Sequence, residues 1–227
     1  MIKNILFDLD GTLFSFAECE RLALKSSFKV YGRRLEQKEL DKYKEINSEL
    51  WKKFELGLIT RNDVLQNRFK LFLKDINVDI SPIQFGELYL YFLSGNFCLE
   101  FGALEVLLKL REKYKLYVVT NGTEMVQMKK INGANLINYF EAIFISENIG
   151  YNKPDVAFFD HCLSEIGCLP TECMIVGDSL SSDIQGGKNA GIFTCWYNPE
   201  RLFNELEIVP DYEIHVLTEL NTILQQH

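Results

Sequence analysis

Four short stretches carry side chains able to do chemistry together: Asp8-Leu9-Asp10-Gly11-Thr12, Thr120-Asn121-Gly122, Lys153-Pro154 and Gly177-Asp178-Ser179, with Asp183 one helical turn beyond the last. They bring carboxylates, hydroxyls, small residues that bare the backbone, and one ammonium. Asp8 and Asp10 follow directly on Ile5-Leu6-Phe7, an apolar run that reads as a buried strand. Like charges at the end of such a strand are costly unless a cation or hydrogen-bond donors compensate them. Each stretch alone has an ordinary reading. Asp-Gly-Thr and Asn-Gly are common turn sequences, Asp178 or Ser179 can cap a helix, Thr120 suits a strand, and a lone lysine is usually a solvated surface charge. Their conjunction is harder to explain as turns.

The elements that must position them follow from the hydrophobic rhythm. After Gly102 short apolar runs alternate with amphipathic ones: KLYVVT, EAIFIS, CMIVGD and IFTCWY read as strands, and ALEVLLKLREKY, TEMVQMKKI, PDVAFFDHCLSEIG and SSDIQGGKNAG as helices. Such alternation implies a parallel sheet covered on both faces, to which the first run, KNILFD, also belongs. The chemical stretches then fall at the carboxyl ends of strands or just before a helix, where open parallel sheets bind ligands. From Phe16 to Asn96 the signals are helical only, with Thr60 and Ser81-Pro82 as helix openings and Gly32, Gly57 and Gly95 as stops. The expected architecture is therefore an α/β core, residues 1–14 and 99–227, interrupted by an all-helical domain over 15–98.

Charge divides the chain the same way. Between Phe14 and Phe97 there are 14 Lys+Arg and 12 Asp+Glu, a balance of +2, whereas the net charge of the whole chain is −8. The remainder is thus −10. An acidic protein of this kind is a poor binder of nucleic-acid polymers or acidic membranes. Hydrophobic content of 47% with 25% charged residues fits a soluble globular protein. No apolar run reaches the roughly 18 residues of a membrane span, and the N-terminus does not resemble a secretory signal, so a cytoplasmic location is expected. The six cysteines are scattered without a Cys-x-x-Cys pair. His161, Cys162, Cys168 and Cys173 read as a helix and strand start burying small thiols rather than as a zinc site.

Taken in order, these stretches resemble the four motifs of the haloacid dehalogenase-like (HAD) hydrolase superfamily, and the helical block after the first motif resembles its C1-type cap on a Rossmann-like core. The resemblance implies a phosphatase. Asp8 would be the nucleophile that forms an aspartyl-phosphate, and Asp10 the general acid and then base. Thr120, with the Asn121 and Gly122 amides, would hold the phosphoryl oxygens, and Lys153 would neutralise charge. Mg2+ would be bound by Asp8, the Asp10 backbone carbonyl and Asp178, with Asp183 orienting its surroundings or Lys153. Asp10 sets the chain apart from the dehalogenase branch, which lacks the second aspartate.

The stretches INSELWKKFELGLITRNDVLQNRF, FISENIGYNKPDVAFFD and GIFTCWYNP are similar to the YjjG-type pyrimidine 5′-nucleotidases. This implies a small phosphorylated substrate, a nucleoside monophosphate with pyrimidine preference, and a monomer or weak homodimer. Phe16, Trp51, Phe54, Arg61 and Arg68 are the candidate contacts to the nucleoside, and a mildly basic cap suits an anionic substrate. Sugar-phosphate phosphatases and phosphomutases share the same core motifs. A non-catalytic binding protein is disfavoured by the intact set Asp8, Asp10, Thr120, Lys153 and Asp178.

Overall fold

The first apolar run becomes strand β1 (Asn4–Phe7) in the computed structural model, which describes residues 1–226. Four helices follow: α1 (Phe16–Val30), α2 (Gln37–Glu55), α3 (Arg61–Asp75) and α4 (Pro82–Ser94). The alternating part then runs α5 (Ala103–Leu110), β2 (Lys115–Thr120), α6 (Glu124–Gly133), β3 (Ala142–Ile145), α7 (Ser146–Ile149), α8 (Val156–Ile166) and β4 (Cys173–Gly177). It closes with α9 (Gln185–Asn189), β5 (Phe193–Tyr197), β6 (Tyr212–Ile214) and α10 (Leu220–Ile223). Two compact units result, Met1–Phe16 with Phe97–His227, and Ala17–Asn96.

The sheet of the first unit has the order β3-β2-β1-β4-β5-β6 with every pairing parallel. Alternate side chains of β1 feed two cores, as the two-residue period of a strand requires. Ile5 and Phe7 pack with Val106 and Leu107 of α5, Ile131 of α6 and Leu220 of α10. Leu6 packs on the other face with Phe158, Phe159 and Cys162 of α8. Burial on both faces explains why these strands are continuous apolar runs.

Register then sets the working edge. Phe7 lies opposite Val118 of β2 and Val176 of β4. Thr120 and Asp178 each stand two residues beyond those partners. The carboxyl ends of the three central strands therefore finish in step beside Asp8 and Asp10.

Besides the short helices α7 and α10, two features go beyond the sequence reading. A sixth strand, β6, joins the sheet beyond the five expected; it is only three residues long, too short for a period-two signal. It is tied to β5 by Asp211, which accepts from the Thr194 amide at 2.8 Å and hydroxyl at 2.7 Å. The stretch after Asp178 also is not one regular helix. It opens as a wide π-turn over Leu180–Ile184 before α9, with the Asp183 and Ile184 amides both donating to the Ser179 carbonyl. Such turns commonly accompany functional sites, because they re-aim a side chain; here it is Asp183 that points inward.

The second unit is built as its caps and apolar spacing suggest. Thr60 caps α3 reciprocally with Asp63, and Ser81 caps α4 with Pro82 at its first position. Phe28, Tyr43, Phe69, Phe72, Phe85 and Tyr89 fill its interior, with Phe28 and Phe85 as close as 4.7 Å between ring centroids. No helix among the described residues is long and apolar enough to cross a membrane.

Candidate active site

Lys153 is the centre of the constellation at the sheet edge. Only 1% exposed, it donates from Nζ to Asp8 Oδ1 at 2.6 Å, Asp183 Oδ1 at 2.6 Å and the Val119 carbonyl at 2.9 Å. Burial works against its charge, but the Asp183 and Asp8 carboxylates outweigh that and hold its pKa above the ordinary lysine value. Its backbone is fixed by Asn121, whose side chain donates to the Lys153 carbonyl at 2.9 Å and accepts from the Lys153 amide at 3.0 Å. Asn121 thus ties the end of β2 to the lysine, a contact that its place in a turn dipeptide does not announce.

Asp8, Asp178 and Asp183 form one group whose ligand atoms lie within 4.8 Å of one another. Burial pushes Asp8 up to about 7 against the pull of Lys153. Desolvation by surrounding protein, then the Asp8 and Asp183 charges, push Asp178 well above the usual carboxylate range. Asp183 also accepts from the Ser179 amide at 3.1 Å. The Thr12 hydroxyl donates to Asp178 Oδ1 at 3.2 Å, and the Trp196 indole donates to the Asp178 carbonyl at 2.8 Å. Gly11 lies under the Asp178 carboxylate at φ +93°, so close that a β-carbon there would stand 2.4 Å from Asp178 Oδ2.

The charge count decides what this group can hold. When all are ionised, as a bound cation favours, three carboxylates face one ammonium and leave a formal charge of −2. The donors are all oxygen. A hard divalent cation satisfies both the charge and the donor type.

Asp10 stands apart from that group. Its carboxylate accepts from Gln127 Nε2 at 2.7 Å and forms an ion pair with the fully buried Lys130. The Thr120 hydroxyl oxygen accepts from the same Gln127 amide at 3.1 Å and from the Gly122 amide at 3.0 Å. The Gly122 amide is therefore engaged with Thr120, which differs from the expectation that it faces a phosphoryl group. Gln127, Lys130 and Trp196 are the residues of this site that the sequence reading did not single out. Gln127 and Lys130 sit three apart in a helix whose polar residues look like a solvated face, and only packing distinguishes buried Lys130 from exposed Lys129.

The candidate nucleoside contacts divide between the units. Phe16 belongs to the first, where its ring lies 5.8 Å from Lys130 Nζ. Trp51, Phe54, Arg61 and Arg68 belong to the second. There Trp51 packs edge-on to buried Phe54, over whose ring Arg61 lies at 5.7 Å. Arg68 is buried, with its guanidinium 4.9 Å from the ring centroids of Phe69 and Tyr89. Phe54 and Arg68 thus serve the interior of their own unit.

Known proteins resemble the chain over nearly its whole length. The HAD-hydrolase YfnB of Bacillus subtilis is 37% identical over 98% of this chain and 95% of its own. A crystal structure of that protein bound to magnesium superposes with a TM-score of 0.94, covering 98% of both chains. The pyrimidine 5′-nucleotidases PynA of Streptococcus pneumoniae and YjjG of Escherichia coli are 34% and 31% identical, over 99% and 98% of this chain and 96% and 98% of theirs. Residues 2–191 match the model of the haloacid dehalogenase-like hydrolases, and with the parallel sheet and its ordered edge in place, the chain belongs to that family of hydrolases.

Proposed function

We propose that the protein is a magnesium-dependent phosphomonoesterase, a 5′-nucleotidase whose preferred substrates are pyrimidine nucleoside monophosphates. The observation that carries the reading is the Asp8 carboxylate, held through one oxygen by buried Lys153 and flanked by Thr120 and Asp178 at the ends of neighbouring strands. The near full-length similarity to two pyrimidine 5′-nucleotidases supports the substrate class.

The chemistry follows from where these groups stand. Lys153 holds Asp8 Oδ1, which leaves the second oxygen to attack phosphorus. That bond forms as the ester P–O bond breaks, and the leaving oxygen takes a proton from Asp10. Water then attacks the phosphoryl group on Asp8, giving its proton back to Asp10 and releasing phosphate and the intact Asp8 carboxylate. The Asp8 carboxylate, the Asp10 carbonyl and Asp178 would hold magnesium, which would supply positive charge against the phosphoryl oxygens. The Thr120 hydroxyl and the Asn121 backbone amide hold the remaining oxygens, and Lys153, oriented by Asp183, balances charge on the transferring group.

A panel of monophosphates tests the reading. The highest kcat/KM is expected for uridine, thymidine and cytidine 5′-monophosphates, with activity lost on chelation and restored by magnesium. Equal rates on sugar phosphates would refute the nucleotidase assignment, and activity that persists in chelator would refute the metal requirement. Gly11 offers a sharper probe of the metal ligand set. Gly11→Ala is expected to displace the Asp178 carboxylate and to raise the magnesium concentration needed for half-maximal activity by about 10- to 100-fold, the usual cost of disturbing a ligand's support. An unchanged magnesium titration would separate Asp178 from the metal.

A further inference from the structure

Two buried donors on one face of α6 converge on Asp10, and the mechanism above gives them no task. Gln127 is 1% exposed and Lys130 is fully buried. Their three-residue spacing places both on the same side of the helix. Gln127 Nε2 donates to Asp10 Oδ2 at 2.7 Å, while Lys130 pairs with Asp10 Oδ1. Each carboxylate oxygen is thereby held by its own donor, which fixes the plane of the group as well as its position. The Lys130 ammonium is enclosed on other sides by the Phe14 ring at 4.8 Å and the Phe16 ring at 5.8 Å.

Gln127 reaches further. The same Nε2 donates to the Thr120 hydroxyl oxygen at 3.1 Å, which also accepts from the Gly122 amide at 3.0 Å. A hydroxyl has two acceptor positions and one proton. With both acceptor positions filled, Thr120 can act only as a donor. The amide orientation is set by its neighbours, because the reverse would bring Gln127 Oε1 against the Asp10 carboxylate oxygen. The carbonyl end, Oε1, is buried with no partner among the described residues, so the side chain is placed for what its NH2 group does. The glycine of Thr120-Asn121-Gly122 belongs to the same device, since a β-carbon at Gly122 would stand 1.8 Å from Gln127 Nε2.

We propose that Gln127 and Lys130 are positioning residues: together they aim the Asp10 carboxylate at the leaving-group oxygen, and Gln127 commits the Thr120 hydroxyl to donate to the substrate phosphoryl group. The inference rests on the reading of Asp10 as the proton carrier. Its signature is a dependence on the leaving group. A nucleoside leaves as an alkoxide and needs the proton, whereas p-nitrophenolate departs without one.

The test is the ratio of kcat/KM for uridine 5′-monophosphate to that for p-nitrophenyl phosphate, a quantity independent of the fraction of protein correctly folded. In Lys130→Met kcat/KM for the nucleotide is expected to fall by about 10²-fold, the scale of a misplaced catalytic group, while kcat/KM for the aryl ester, which excludes the later hydrolysis of the adduct, stays close to wild type. Lys130→Arg, which keeps the charge, is expected to recover part of the ratio. Gln127→Leu is expected to lower the ratio too and, by releasing Thr120, to raise KM for both esters. An equal loss on both esters in Lys130→Met and Gln127→Leu would reduce the pair to a structural role and overturn the inference. Asp10→Asn serves as the reference. If its own ratio matches wild type, Asp10 is not the proton carrier, and the underlying reading falls together with the inference.

Discussion

Asp8→Asn is expected to lower turnover of nucleoside monophosphates by on the order of 10⁴-fold or more, the scale seen when a nucleophile is removed from an assembled site. A carboxamide oxygen is a poor nucleophile and cannot form the phosphoryl adduct, yet it occupies nearly the same volume as the carboxylate. It can still accept from Lys153 Nζ, which stands 2.6 Å from Asp8 Oδ1. The substitution also removes one of three mutually repelling carboxylates. The variant is therefore expected to unfold at no lower temperature than the wild type in the absence of metal, while its activity disappears. Both halves are measurable on one preparation, by steady-state phosphate release and by thermal unfolding in chelator. Activity within about tenfold of wild type would remove Asp8 as the nucleophile. A marked loss of stability would instead show that the charge of Asp8 is needed to hold Lys153 in place.

How much of this site can be read from the chain depends on what kind of constraint placed each residue. Asp8, Thr120 and Asp178 were legible because each follows a buried strand, and a parallel sheet gathers the carboxyl ends of its strands at one edge. Gly11 was legible as a turn residue, but its reason is the Asp178 carboxylate lying above it, a contact between positions 167 apart in sequence. Gln127 and Lys130 gave no signal. A helix carrying Gln, Lys and Lys within four residues reads as solvent-facing, and burial of the second lysine follows only from where α6 meets Asp10 and Phe14. The same holds for Trp196, whose strand position was clear and whose indole contact with the Asp178 carbonyl was not. Among the elements, β6 was missed because three residues cannot display a period, and the π-turn over Leu180–Ile184 because apolar spacing does not tell it from an ordinary helical turn. Chemistry that lies at strand ends is written locally; the groups that hold it in position are written in packing.

Lys153→Met is expected to be the most destabilising of the substitutions considered, by about 3–5 kcal/mol, the cost of removing one partner from a buried ion pair. Lys153 is the shared partner of Asp8 and Asp183, so its loss leaves two carboxylates facing each other without an intervening cation. The magnitude exceeds that of an ordinary surface pair because Lys153 and Asp183 are each 1% exposed and Asp8 7% exposed, which leaves little water to screen the repulsion. The effect should not add with neutralisation of its neighbour. In Lys153→Met with Asp183→Asn, one of the two stranded charges is gone, and stability is expected to return towards wild type while activity stays abolished, a coupling that a double-mutant cycle reads directly. The charge balance gives a further check. Removing the ammonium takes the group from −2 to −3, so magnesium is expected to raise the unfolding temperature of Lys153→Met by more than it raises that of the wild type. If Lys153→Met unfolds at the wild-type temperature in chelator, then Asp8 and Asp183 are not both ionised in the folded variant. The charge of −3 assigned to the variant would then be too large, a carboxylate having taken up a proton in place of the missing ammonium.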